Sequence, residues 1–559
     1  MDAQVAVVGA GPVGLTLAAR LGQQGLRVLV VEQQPGLSGE GSKALCMQRE
    51  TLEIWSRLGI GERVAERGVQ WHIGRTYFRG RELFSIRLPG GQGERFPPFV
   101  NISQSEVESL LLAQLTAIPQ VELRWGHRLE TISQDGDGVT LRCATAGGTR
   151  ELHVAYLVGA DGAHSGVRHA MGMAFPGHSH DDEFLICDIR ADLPFPNERR
   201  FHFDPPWNPG RQVLVHPQPD GVWRIDWQVP SGTDAAAERE NGGLDRRIRA
   251  VIGRHTPYEL VWMTAYRFHQ RLVDRFRIGR VLLAGDAAHL MSPFGARGLN
   301  SGVADAENLA WKLRLVLDGS APERLLETYH LERRAAALEN LAVTDATMRF
   351  MVPHGRLRRA VRNGILRGSV RWSWLRRRVN SGRLAQPCSY AGSPIVAAGP
   401  EEPGLPPHGT VAPDAACVVA EASERSIIAL RQLVDDRFLA LLVFPPGDPA
   451  AARTAGRAAR QAWPTGCRIV VCGATDRIRD VTVVHDVDGD LRRRYAPSGP
   501  RGWLIRPDGH LAASVALDSA AAVDRLAGLQ AMAMAAPERV TPDELVTAEP
   551  ARARVGKPS

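Results

Sequence analysis

The 559-residue chain is notable first for what it lacks. No apolar stretch approaches the roughly 18 residues that a membrane-spanning helix needs. Residues 1–3 run straight into apolar Val5–Val8, which leaves no room for a signal peptide. Seven cysteines (Cys46, Cys143, Cys187, Cys388, Cys417, Cys467, Cys472) are odd in number and scattered. The Cys467–Cys472 pair has four residues between, so it is neither a redox CxxC nor a zinc knuckle. That usage excludes a disulfide framework and leads us to expect a reducing, cytoplasmic location. No metal site is expected: His178, His180, Asp181, Asp182 and Glu183 crowd a short loop without a geometry for closed coordination. Nucleophile elbow, zinc-protease helix and internal repeat are all missing. Gly36 to Lys43 superficially resembles a P-loop but ends Gly-Ser-Lys and follows no adjacent strand.

Positive charge is modest, +7 overall, and much of it comes from arginines between Arg356 and Arg383. No nucleic-acid fold signature accompanies it, so the segment reads as a solvated helical surface or subunit contact, without a nucleic-acid or membrane partner.

What is present is globular: 44% apolar and 23% charged residues, enough for about three or four domains at 100–200 residues each. Residues 4–32 read as β-α-β. Arg49 to Leu58 reads as a helix, with Leu52, Trp55 and Leu58 on one face. Gly80 to Pro98 reads as loops or a short hairpin. Ser103-Gln-Ser-Glu106 fits a capping box before a helix. From 172 to 279 short strands (Phe184–Ile189, Gln212–His216, Val222–Gln228) alternate with proline-rich turns and many aromatics, an antiparallel sheet inserted into a nucleotide-binding domain. The chain is then helical to about 350. Seven prolines between 385 and 413 suggest a linker. A smaller α/β unit follows, with strands at Phe438–Phe444, Arg468–Cys472 and Gly502–Arg506. A polar, disordered tail is expected from 536.

Two turns carry the chemistry. Val5–Val8 leads into Gly9-Ala-Gly11-Pro-Val-Gly14, then an apolar helix, and Glu32 closes the next apolar strand. Gly9 allows the tight turn, Gly11 lets amides approach a pyrophosphate, and Gly14 lets helix and strand pack closely. Phosphates then meet free N–H groups at the positive end of the helix dipole. A carboxylate at Glu32 can accept from ribose hydroxyls. Such a fingerprint alone is a weak signal. About 270 residues later, Val281-Leu-Leu-Ala-Gly285-Asp286-Ala-Ala-His289 supplies a second glycine-aspartate turn after a second apolar strand. Together they specify a protein that wraps both ends of one long dinucleotide.

Between them stands Asp161-Gly-Ala-His-Ser165-Gly-Val-Arg168. With GAGPVG, DGxxSxVR and AGDAAH in this order and spacing, the chain resembles the FAD-dependent aromatic hydroxylases related to p-hydroxybenzoate hydroxylase. Within them it most resembles the longer phenol hydroxylases, of the 3-(3-hydroxyphenyl)propionate hydroxylase type, over about residues 1–350. The resemblance is specific for cofactor and reaction and unspecific for substrate.

It implies an α/β fold: a Rossmann-like FAD-binding domain (1–171 and 280–350), an inserted antiparallel β substrate domain (172–279), a basic helical segment and linker (351–400), and a thioredoxin-like C-terminal domain (401–535) before the tail (536–559). It also implies hydroxylation of a phenolic or related aromatic compound with NADH or NADPH and O2, through a C4a-hydroperoxyflavin. Asp286 would bind the FAD ribitol chain. Asp161 and Arg168 would contribute to FAD or nicotinamide binding, the alternative being a structural salt bridge. Gln104 would lie near the flavin, or serve only as a helix N-terminal residue. In Gly295–Gly302, the amides of Gly298, Leu299 and Asn300 would face the flavin N1–C2 edge, where reduced flavin is negative. Ala296-Arg297 departs from the usual Gly-Gln and brings a cation near the ring. Lys43 stands where relatives have arginine and loses the bidentate fork, with Arg49 nearby. Pro293, Arg297, Tyr266 and His269 are the catalytic-side candidates, since a base or cation near a phenol raises its reactivity. Without CxxC, the C-terminal unit would brace or dimerise rather than exchange disulfides. The helix around Leu309–Leu317 leaves a homodimer open. Two rival readings stay in view: a flavin dehydrogenase or reductase without oxygen insertion, and a non-catalytic flavin-binding partner protein.

Overall fold

The computed structural model describes residues 1–37, 39, 44–88, 94–353, 355–376, 379, 386–397, 403–420, 426–519 and 521–535, with the backbone alone at 180–182. Two compact units emerge: Met1–Ala310 with Arg334–Gln386, and Trp311–Arg333 with Pro387–Ser559. The mixed α/β class expected from the sequence is the one found. Among the described residues no helix is long and apolar enough to cross a membrane. The expected tail, from 536, lies outside the described residues.

The first unit holds two large sheets. In one, five strands run parallel in the order Val281–Leu283, Gly148–Gly159, Ala3–Val8, Val28–Val31, Val121–Arg124. Ala3–Val8 and Val28–Val31 are almost wholly buried, which is why both read as unbroken apolar runs. The pairing places the end of Ala3–Val8 beside Gly159 and hence beside the end of Val281–Leu283. Three chain segments far apart in sequence therefore turn at the same end of the sheet.

The second sheet has the order His289–Leu290, Glu259–Leu272, Gly177–Arg190, Val222–Val229, Gln212–Pro217, Arg199–Phe203, Ile73–Phe78, Arg81–Arg87. Of the two readings of residues 80–98, loops or a short hairpin, the second holds at its start: Ile73–Phe78 and Arg81–Arg87 form a hairpin that extends this sheet. Ile73–Phe78 joins Arg199–Phe203 in parallel, so the sheet is mixed rather than purely antiparallel and is not confined to 172–279. The residues expected in a loop at 178–183 lie on the strand Gly177–Arg190, whose register shifts between Ser179 and Glu183. Alternation along Val222–Val229 sends Trp223, Ile225, Trp227 and Val229 into a core closed by Leu244, Ile248 and Ile252 of the helix Gly243–Ile252. Arg224 and Asp226 take the opposite face.

The second unit contains a seven-stranded sheet in the order Ile427–Ala429, Ala416–Val419, Thr482–Asp486, Cys467–Cys472, Phe438–Val443, Arg501–Ile505, Leu511–Ala516. The helices Pro449–Ala462 and Ala521–Ala535 contribute Ala452, Ala459, Val523 and Leu526 to the core on one face. The proline-rich stretch expected to be a linker is part of this body. Ile395 and Ala412 are buried, Ala397 N donates to Ala512 O at 2.8 Å and Gly409 N to Leu511 O at 2.7 Å. Its described prolines shape turns along a strand edge instead of loosening the chain.

Candidate active site

The strand Ala3–Val8 ends at Gly9, where φ is +107° and an added Cβ would lie 2.5 Å from the Ala160 carbonyl oxygen. At Gly14 a Cβ would meet the Gly9 carbonyl oxygen at 2.0 Å, so only glycine permits this approach of helix to turn. A Cβ at Gly11 would meet nothing within 4 Å, because that residue faces a cavity. The helix Pro12–Gln23 begins there with Pro12 and without a side-chain cap, so its first amides point at the opening. Glu32 Oε2 accepts from Ala10 N and Oε1 from Gln34 N, both at 2.9 Å, so this carboxylate also fixes the turn.

The second turn, Asp161–Arg168, lies alongside. Asp161 Oδ2 accepts from Val167 N at 3.0 Å, while the buried Oδ1 has no partner within the protein. Burial pushes the Asp161 carboxyl up from its ordinary pKa, against hydrogen bonds that pull it down. Arg168 donates to Ala287 O at 3.0 Å and to Ala163 O at 2.8 Å and covers the Phe175 ring. It thus ties this turn to the third rather than forming the salt bridge with Asp161.

The third turn follows Val281–Leu283. Gly285, at φ +61°, donates its N–H to Asp305 Oδ2 at 2.9 Å, and His289 Nε2 lies 2.7 Å from the same oxygen. All three residues are buried. Asp305 and His289 therefore brace the Gly285–Asp286 turn, a role not foreseen from the sequence. A buried Arg20–Glu307 pair at 2.8 Å joins the first helix to Gly298–Leu317. At Pro293–Asn300, Asn300 Oδ1 accepts from Gln48 N (3.0 Å) and Thr51 Oγ1 (2.7 Å), and its Nδ2 donates to Cys46 O (2.9 Å) and Ala296 O (2.6 Å). Ala296 adopts φ +56°, which accounts for glycine being usual there. Arg297, 6% exposed, hydrogen-bonds Asn340.

These turns surround one cavity of about 1180 Å³. Of the sequence-predicted residues, Gly9, Gly11, Glu32, Gln104, Asp161, Arg168, Asp286, Pro293, Arg297, Gly298, Leu299, Asn300, Tyr266 and His269 all line it. Gly14 and Gly285 support it from behind. Arg49 does not line it: its guanidinium is paired with Glu94 at 2.6 Å and with the Phe96 carbonyl. Lys43 lies outside the described residues. Gln104 Nε2 donates to Glu108 at 2.8 Å. His269 Nδ1 lies 2.8 Å from Ser179 Oγ. Burial, with the Asp286 charge second, pushes the Tyr266 hydroxyl up to about 12. It stays protonated and can donate but not serve as a base.

The far wall is the second sheet. Phe294, from the third turn's loop, meets Phe184 at 5.3 Å and Phe268 at 5.8 Å between ring centroids. Beyond this apolar wall, Arg199, His216, Arg224 and Asp226 also line the cavity. Sequence reasoning missed them. Their signal is the run Trp223-Arg-Ile-Asp-Trp227, in which charges alternate with large apolar residues at period two on an interior strand.

A family model described as "FAD binding domain" matches residues 2–344. The chain belongs to that family. A 3-(3-hydroxy-phenyl)propionate/3-hydroxycinnamic acid hydroxylase of Mycolicibacterium smegmatis is 33% identical over 404 residues, covering 72% of this chain and 71% of the relative. A protein of the same name from Mycobacterium sp. (strain JLS) is 35% identical over 66% of this chain, which spans just under two thirds, 64%, of that relative's length. Among solved structures, the aromatic hydroxylase CabE from angucycline biosynthesis is 29% identical, with a TM-score of 0.67 over 94% of this chain and 99% of its own.

FAD is accordingly the cofactor, and the residues present fit it. The cradle at Gly9 and Gly14 excludes any Cβ, an uncapped helix start faces the cavity, and Asp161 holds a buried acceptor that the protein leaves unmet.

Proposed function

We propose that the chain is an FAD-dependent monooxygenase that hydroxylates a phenolic or related aromatic substrate with NADH or NADPH and O2. The observation that carries this reading is the continuity of the cavity, which runs from the glycine turns to an aromatic-walled sheet without a break. When bound, FAD takes up the reducing equivalents of NAD(P)H and passes one oxygen atom of O2 to the ring. The protein's tasks are to bind, to orient and to exclude water.

In this reading, the amides after Gly11 and the N-terminus of Pro12–Gln23 hold the pyrophosphate, and Glu32 a ribose hydroxyl. Asp286 holds the ribitol chain from a turn that Asp305 and His289 keep fixed. The N-terminus of Gly298–Leu317 offers amides to an anionic ring edge. Asn300, with all its described hydrogen bonds to Gln48, Thr51, Cys46 and Ala296, acts by holding that turn in shape. Arg297 contributes positive charge, oriented by Asn340. Pro293 and Phe294 form the floor against which an aromatic ring packs, and Phe184 and Phe268 shield it from water. Tyr266 donates a hydrogen bond.

The order Cys467–Cys472, Phe438–Val443, Arg501–Ile505, Leu511–Ala516, with a helix after Phe438–Val443 and another after the hairpin, supports a thioredoxin-like C-terminal body. Burial pushes the Cys467 thiol up to about 12 and that of Cys472 up to about 11, which supports a bracing role over disulfide exchange. Seven free cysteines support a cytoplasmic location.

The test is a panel of phenols incubated with protein, FAD, NAD(P)H and 18O-labelled O2. Substrate-stimulated NAD(P)H consumption with one labelled oxygen in the product is expected. Product formation under anaerobic conditions, or an FAD-loaded protein unresponsive to every phenol, would overturn the reading.

A further inference from the structure

The register of the second sheet sorts its cavity face into rows. Arg200 pairs with Val215 and His216 with Arg224, and Arg224 in turn with Asp188, so His216, Arg224 and Asp188 form one row, with Arg199 at its end. Two residues along, Phe201, Leu214, Asp226 and Ile186 form the next. Apart from Asp226, that second row is apolar. Asp226 therefore sits between the charged row and a row that holds Gln212 and Gln228 with Phe203 and Phe184.

Those neighbours do not satisfy it. Arg224 is clamped by Asp188 through two hydrogen bonds of 2.8 and 2.7 Å. Asp226 Oδ1 is buried and has no partner within the protein. A buried acceptor left unmet is destabilising unless a ligand or water supplies the donor. The flavin turn lies close to this row: Asn300 holds the carbonyl of Cys46, whose Sγ lies 4.0 Å from His216 Nδ1. Phe294 of the same turn packs near Phe201, the end of the Asp226 row, at 6.5 Å.

We propose that Asp226 receives the hydroxyl of the substrate phenol at Oδ1 and takes its proton. This rests on the aromatic hydroxylase reading. The charges of Arg199, Arg224, Asp188 and Asp226 sum to zero, so a neutral donor fits the site and a second carboxylate does not. In the step, the O–H bond breaks, its electron pair stays on the phenolate oxygen, and the proton forms a bond to Oδ1. Nothing is oxidised. The phenolate so formed directs electron density into the ring, and the buried arginines offset its charge.

Burial, partly offset by Arg224 and Arg199 and reinforced by Asp188, pushes the Asp226 carboxyl up to about 7. That brings it nearer to a phenol's own pKa of about 10 and makes it a better base than an ordinary carboxylate. His216, driven neutral by burial and by the same arginines, adds no opposing charge. The Cys46 thiol, pushed up to about 12 by burial, stays protonated.

The test compares wild type with Asp226→Asn, which keeps the shape and removes the base. Both are first checked for bound FAD and melting temperature. With an ordinary phenol, kcat/KM of the variant should fall by about 100-fold and lose the rise near pH 7. With a phenol acidified by a nitro group, already ionised near neutrality, the loss should shrink to a few-fold. In wild type, the ultraviolet spectrum of bound phenol should show phenolate below the phenol's solution pKa, and the methyl ether of the same phenol should bind more weakly. Equal losses across phenols of all acidities, or unchanged kinetics in a wild-type-like fold, would overturn the assignment while leaving the hydroxylase reading intact. A wild type that hydroxylates no phenol would overturn both.

Discussion

The cavity of the first unit and the core of the second treat buried charge in opposite ways. In the second, Glu332 accepts from Lys312 at 2.7 Å, from Arg506 at 2.7 and 2.8 Å and from Ser393, while Arg506 also pairs with Asp508. Every side chain of the network is buried, and each carboxylate faces cations. In the first, Asp161 and Asp226 each keep one buried oxygen without a protein partner, and both line the same cavity. A closed network fixes a fold. An unclosed one beside a void marks where a ligand or water can complete it.

The largest effect should come from opening the closed network. Glu332→Gln leaves Lys312 and Arg506 short of a buried counter-charge and should cost about 3–5 kcal/mol by urea denaturation. Arg506 and Lys312 hold the Glu332 carboxyl well below its ordinary range. Its contribution is therefore full above about pH 4.5 and declines as pH falls below that value. Asp226 has the opposite sign. Its folded pKa of about 7 exceeds the unfolded value, so the fold gains protons that the unfolded chain has lost. Stability should drop as pH rises from about 4 to 7 and level off above. Asp226→Asn should remove that slope and add about 4 kcal/mol at pH 8, read by calorimetry across pH.

Gly9→Ala forces a Cβ into the Ala160 carbonyl at an unfavourable φ. It should weaken FAD binding by about 10–100-fold in a fluorescence titration, from about 1–3 kcal/mol of strain. Ala296→Gly is the mildest test: relieving a left-handed alanine should stabilise the protein by about 0.5–1 kcal/mol, with FAD still bound.

The contrast also explains what could be read from sequence. The glycine turns were legible because backbone approach demands particular residues at fixed spacing, and Ser103 caps its helix, accepting from Glu106 N at 3.2 Å, because that signal is local. The edge hairpin Ile73–Phe78/Arg81–Arg87 was not, since its place depends on a parallel partner over 120 residues away. Asp305 was legible only as a helical residue; its role needs the Gly285 amide and His289 brought to it by the fold. Asp226 escaped notice because a strand buried on both faces hides which charges meet a cavity. The proline-rich stretch at 385–413 misled for a related reason, since turn residues do not report whether the turns are packed.

Hydrogen exchange with and without saturating FAD tests the central claim most directly, that one dinucleotide is held by turns far apart in the chain. Amides of residues 9–15, 161–168 and 284–300 should slow together at one FAD per chain, while those of 438–472 stay unchanged. Protection confined to one of these segments, or absent from all three, would contradict the account.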